Sequence, residues 1–112
     1  MVDLSLKAKN YFIIGNLAEE RKMFDVACTN YFKSLAAIND FVLSKIKLFP
    51  KDHNDRFLML KEKDSFLYKL TSSLFLVYRR AYTSDLGKEE AVSLRLKLIE
   101  AFKYAKIEIV KE

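Results

Sequence analysis

Residues 24–49 read FDVACTNYFKSLAAINDFVLSKIKLF. Phe24, Cys28, Tyr31, Leu35, Ile38, Val42 and Phe49 recur at separations of three, four and seven. That is the period of one helical face turned toward a core, and no Gly or Pro interrupts the run. The pattern predicts a long helix with Asp25 as its N-cap and Pro50 as its stop. Phe49 should be the turn of exit, because the residue before a proline is pushed out of the α region.

Working outward, residues 4–21 carry Leu4, Ala8, Tyr11, Phe12, Gly15 and Ala18 on one helical face, with Asp3 placed to cap it. Behind Pro50, the polar run Lys51-Asp52-His53-Asn54-Asp55 reads as a loop, and Phe57, Leu58 and Leu60 as a short helix. Asp64 can cap a further long helix striped by Leu67, Leu70, Leu74, Val77 and Ala81, which should fray near Ser84-Asp85-Leu86-Gly87 with Gly87 as the stop. A last helix from about residue 88 to 110 aligns Ala91, Leu94, Leu98, Ala101, Ala105 and Ile109. The fold expected is all-α: an antiparallel up-and-down bundle of four long helices plus one short helix after Pro50, with residues 1–112 as one domain.

Composition supports that class. Apolar residues make up 51% of the chain against two Gly and one Pro, too apolar for disorder and too poor in turn residues for a β-sandwich. The first hairpin places Tyr11, Ile14, Gly15, Ala18, Phe24, Ala27 and Tyr31 at tetratricopeptide offsets, but the next 34-residue step does not repeat them, so no array is expected. Aromatics off the main stripes, Phe32, Phe41, Phe66, Phe75 and Tyr104, mark either the surplus apolar surface of a homodimer, the state expected here, or a well-filled monomer core.

Twenty Lys and Arg against fifteen Asp and Glu give a formal charge of +5, which permits an anionic partner without requiring one. Met1–Lys7 lacks the pattern of a signal peptide, and no apolar stretch reaches the ~20 residues that cross a bilayer. With the single Cys28 unable to form an intramolecular disulfide, a cytoplasmic protein away from membranes is expected.

Few residues are candidates for chemistry. Gly15 and Gly87 stand alone, so no glycine-rich phosphate loop exists, and one His with one Cys cannot build a zinc centre. No metal and no cofactor are expected. Cys28 lies on the core stripe and reads as a buried thiol. His53 is a weak catalytic candidate, resting on its near-neutral pKa, and is most simply a helix-starting loop residue. The stretch Tyr78-Arg79-Arg80-Ala81-Tyr82 is more telling. Arginine forks can hold phosphate while Tyr78 and Tyr82 stack on bases, although cations at a helix C-terminus also answer the helix dipole or pair with an acid such as Asp64 or Glu100. The stripe Leu70, Leu74, Val77, Ala81 sets Arg80 nearer the apolar face than Arg79.

The order of a helix, a break at Phe24-Asp25, a long helix with Ala27 and Tyr31-Phe32, Pro50 followed by His53, and then Leu76-Val77-Tyr78-Arg79-Arg80-Ala81-Tyr82 resembles the HEPN family over residues 4–109. The resemblance implies a bundle of four long helices and a shorter one, often dimeric and often encoded beside a minimal nucleotidyltransferase. Active members are metal-independent ribonucleases, some toxin-like, with an Arg followed four to six residues later by a His. Arg79 and Arg80 match the arginine, but Ser84, Asp85, Leu86 and Gly87 occupy the histidine positions. The resemblance thus implies a non-enzymatic accessory domain that binds a nucleotide, RNA or a partner nucleotidyltransferase through Arg79 and Arg80. The enzyme alternative is a divergent ribonuclease with His53 brought near Arg80, and a third reading is a helical bundle for protein interaction alone.

Overall fold

The computed structural model describes residues 2–109, and among them five helices and no strand. Helix α1 spans Leu4–Glu20, α2 Phe24–Ser44, α3 His53–Lys63, α4 Ser65–Arg80 and α5 Lys88–Ala105. None is long and apolar enough to cross a membrane.

The starts of α1 and α4 follow capping chemistry. Asp3 accepts the Leu6 N–H at 3.1 Å and Asp64 the Leu67 N–H at 3.0 Å, each satisfying a donor that the first helical turn leaves open. Helix α3 begins in the same way, with Asp52 accepting the Asp55 N–H at 2.9 Å. It runs eleven residues and takes in His53 at its first position.

Four expectations about helix ends are corrected; one is the end of α5, expected near residue 110 but reached at Ala105, where Lys106 enters the left-handed region at φ 58°. Asp25 does not cap α2, whose N-cap is Met23; Asp25 stands inside the first turn and its carboxylate accepts the Leu86 N–H at 2.6 Å. Helix α2 stops at Ser44, short of Pro50, because Lys47 enters the left-handed region at φ 61° and the Leu48 N–H returns to the Leu43 carbonyl. This closing turn leaves Phe49 exposed. Gly87 is no helix stop: it lies at φ −105° as the N-cap of α5, and its N–H donates to Glu90 Oε1 at 2.9 Å.

Helix α2 is the axis of the molecule and packs against all four others. Its buried face includes Cys28, Tyr31, Phe32, Leu35, Ile38 and Leu43. Against α1 the approach is close. Gly15 lies under the Tyr31 ring, and Ser34 Oγ donates to the Ala8 carbonyl at 2.7 Å. Tyr31 itself is fully buried, and its hydroxyl shares its one proton between two acceptors, Asn16 Oδ1 and Glu19 Oε1, each 2.7 Å away. Glu19 also receives Arg95 Nε at 3.0 Å, and Phe12 meets Phe102 edge-on at 5.3 Å, which joins α1 to α5. Between α2 and α4, the buried Asn39 donates to the buried Thr71 at 2.8 Å, so two polar groups answer each other in an otherwise apolar layer.

Of the off-stripe aromatics, Phe32 is buried and Phe41 and Phe75 pack against the core, whereas Phe66 and Tyr104 stay exposed and meet each other with ring centres 4.5 Å apart and planes tilted by 33°. Exposed apolar surface gathers instead on α1, where Leu6, Ile13, Ile14 and Leu17 face out.

Candidate binding surface at the end of helix α4

Helix α4 delivers Tyr78, Arg79 and Arg80 in its last turn. Beyond it the chain coils through short-range bonds, with the Ala81, Tyr82 and Thr83 N–H groups donating to the carbonyls of Tyr78, Arg79 and Arg80. Tyr82 is thereby held one turn past Tyr78. The Asp25 bond to the Leu86 N–H and the burial of Leu86 tie this segment to the start of α2.

An aromatic ladder rises from the core to this surface. Phe32 stacks on Tyr78 at 4.5 Å with the rings 15° from parallel, and Tyr78 meets Tyr82 edge-on at 5.7 Å. The two tyrosine hydroxyls lie 3.0 Å apart, a bond that raises the Tyr78 hydroxyl above the ordinary phenol range. Tyr82, the top rung, is 75% exposed. Tyr78, Ala81 and Tyr82 form one wall of an open groove of about 310 Å³, and Asp25, Val26, Thr29 and Asn30 of α2 form the other. Asn30 Nδ2 donates to the Val26 carbonyl at 2.9 Å.

Both arginines are exposed. Arg80 reaches Glu90 Oε2 at 3.6 Å with its side chain 57% exposed, so its acid is Glu90 rather than Asp64 or Glu100, and the pair is a solvated one. Asp64 sits at the opposite end of α4, where it caps the helix and accepts the Tyr104 hydroxyl. The Glu90 carboxyl is held below the usual range first by the Gly87 N–H and then, among weaker causes, by Arg80. Arg79 turns the other way, its guanidinium 5.9 Å from the centre of the Phe75 ring. Among the described residues it has no acidic partner at ion-pair distance.

The fold brings His53 to that same ring. Its imidazole centre lies 6.0 Å from Phe75 and 5.8 Å from Phe32, so His53 and Arg79 share Phe75 as a neighbour, while Arg80 is drawn to α5. Two residues that the sequence reading passed over hold the histidine. Arg56 Nη1 lies 2.8 Å from His53 Nδ1. Arginine only donates, so Nδ1 accepts and the ring proton sits on Nε2. Arg56 in turn forks onto Asp40, Nε to Oδ1 at 2.7 Å and Nη2 to Oδ2 at 3.1 Å. The His53–Arg56 spacing of three on a helix that starts at Asp52 was the available signal; nothing local points to Asp40 on α2.

Burial first, and the Arg56 charge second, lower the His53 pKa below its usual 6.5. The unfolded chain therefore takes up a proton that the folded protein resists, and stability should fall as pH drops below 6.5 and through the lowered pKa of the folded state. His53→Asn should flatten that part of the profile of thermal midpoint against pH; an unchanged profile would remove His53 as its source. Asp40→Ala leaves Arg56, 13% exposed, without its fork partner, and should cost about 2 kcal/mol after allowing for solvent access. Urea titration of Asp40→Ala beside Asp40→Leu/Arg56→Met checks it: the double variant, with no stranded charge, should be the more stable.

Two of the four positions where the resemblance calls for a histidine serve structure, Leu86 in the core and Gly87 as a cap. Cys28 is a core thiol, pushed up to about 12 chiefly by burial and further by Glu90, Asp25 and Glu19, and is unsuited to nucleophilic work. Comparison with family models, with curated proteins and with solved structures returns no match.

Proposed function

We propose that the protein is a non-enzymatic, HEPN-like accessory domain that works as a homodimer and binds single-stranded RNA across the end of α4. One observation carries the reading: the exposed Tyr82 continues the Phe32–Tyr78 ladder beside two exposed arginines, one of them with no acidic partner among the described residues. Aromatic faces for bases and guanidinium forks for phosphates are the two ingredients of single-strand recognition. The groove between Tyr78 and α2 supplies polar groups for a base edge. Arg79 is the main phosphate contact, and Arg80, shared with Glu90, the lesser one.

The bundle is of the up-and-down kind in this reading. The pairings Phe32 with Tyr78 and Asn39 with Thr71, then Asp64 with Tyr104 and Arg80 with Glu90, support helices that alternate in direction from α2 to α4 to α5. A cytoplasmic location agrees with the lone, buried thiol. A small nucleotidyltransferase is the partner that the family resemblance adds.

Catalysis is not part of the proposal. With Nδ1 held by Arg56 and protonation opposed by that charge, His53 is poorly placed to give a proton to a leaving group near neutral pH. Titration of a short, end-labelled single-stranded RNA tests the reading. Binding without cleavage is expected, and Tyr82→Ala should weaken it by ~1–3 kcal/mol, the worth of one stacked base. Cleavage that disappears in His53→Ala would establish the ribonuclease reading instead, and no binding at all would leave a protein-interaction bundle.

A further inference from the structure

Helix α1 is apolar on two opposite faces. Ala8, Phe12, Gly15 and Ala18 lie in the core. At about 100° per residue, Leu6, Asn10, Ile13 and Leu17 fall on the far side, spaced four, three and four, and the line runs back to Val2. This is the d-a-d-a spacing of a two-helix seam, with Asn10 as the single polar residue of the kind that fixes register at a cost in affinity. A helix with one core to join needs one apolar face. The second has no use within the chain, since Leu6, Ile13 and Leu17 each stand about half exposed.

We infer that this face is the self-association surface, covered by α1 of a second copy running antiparallel about a two-fold axis near Ile13. The inference rests on the homodimer reading above and adds where the copies meet. Area supports it. The exposed apolar side chains of α1, with Ile14 beside the seam and Met23 past the turn, offer roughly 500 Å², within the range for a monomer's largest patch and more than half of the ~800 Å² that one partner brings to a standard interface. A shallow groove of about 500 Å³ between Lys7, Tyr11 and Asn30 runs alongside and can receive side chains of the second copy.

Charge selects the direction. Lys9 and Glu20 lie on one flank of the seam at opposite ends, and Asp3 and Arg21 on the other. A two-fold that reverses one helix keeps each flank facing its own kind, so Lys9 approaches the partner's Glu20 and Asp3 the partner's Arg21, with Lys7 free to turn to solvent. A parallel pair would cross the flanks, setting Glu20 beside the partner's Arg21 but Lys7 against the partner's Lys9 and leaving Asp3 with no cation, so it makes fewer favourable pairs than the antiparallel one. The antiparallel arrangement also opposes the two helix dipoles.

Sedimentation equilibrium of the full chain tests this. The wild type should have twice the 13.1 kDa mass. Ile13→Lys/Leu17→Lys should be monomeric with an unchanged helical spectrum, because both side chains point away from their own core. Lys9→Glu should weaken the dimer about tenfold, and adding Glu20→Lys should restore it, which a merely structural role for either residue would not do. A monomeric wild type would overturn both the homodimer reading and this inference. A dimer that survives Ile13→Lys/Leu17→Lys would overturn the inference alone, and a charge reversal without effect or without rescue would overturn the antiparallel pairing.

Discussion

Gly15→Ala should lower the stability of the protein by ~3 kcal/mol, even though alanine is the better helix former by up to ~1 kcal/mol. A Cβ at residue 15 would stand 2.6 Å from Tyr31 Cδ1 and 3.1 Å from Cζ, inside van der Waals contact along one edge of the ring. The ring cannot step aside cheaply. It is fully buried, touches Phe12 with centroids 6.0 Å apart, and its hydroxyl is pinned at 2.7 Å to both Asn16 and Glu19. Moving it loosens bonds of which the one to the carboxylate is worth ~1.5–3 kcal/mol. Chemical denaturation reads the effect directly. A stability equal to or above wild type would show that α1 and α2 do not approach as closely as described.

The second large effect lies at the middle of the core. Leu35, Leu74 and Leu98 come from α2, α4 and α5, and each is fully buried. Truncation to Ala removes transfer free energy and leaves a void that close-packed neighbours fill only in part, so each variant should lose ~2–5 kcal/mol. Three unchanged denaturation midpoints would mean that the helical faces are wrongly phased.

Helix identity was legible because capping and periodicity are local. Asp3 and Asp64 cap where their position before an apolar stripe says they should, and the core stripes of α2 and α5 are buried from Cys28 to Ile38 and from Ala91 to Ala105. What failed was decided by tertiary partners. Asp25 looks like a cap in sequence, but Leu86, 61 residues away, takes its carboxylate. Gly87 looks like a stop, but Glu90 makes it a start. Pro50 is an effective terminator, yet the left-handed Lys47 closes α2 before the chain reaches it. Of the five off-stripe aromatics, Phe32 and Phe75 went to the monomer, packing with Tyr78 and His53, while Phe66 and Tyr104 remain exposed.

The candidate surface was legible in part. Tyr78, Arg79, Arg80 and Tyr82 are contiguous, and the helix period alone sets them at one end of α4. The sequence could not say that Arg79 and Arg80 diverge, one over Phe75 and the other toward Glu90, since that split depends on where α5 lies. Nor could it say that Asp40 anchors Arg56 against His53, because that bond spans 16 residues from α3 to α2, although the three-residue spacing of His53 and Arg56 on α3 was local.

The most direct test of the account is the salt dependence of single-stranded RNA binding by wild type and Arg79→Gln. Each phosphate contact on a single strand contributes about 0.7 to the slope of log affinity against log salt. Arg79→Gln should bind more weakly, with a slope smaller by about that amount and an unaltered melting curve, because the guanidinium is exposed and outside any ion pair among the described residues. An Arg79→Gln protein that keeps the wild-type affinity and slope would contradict it.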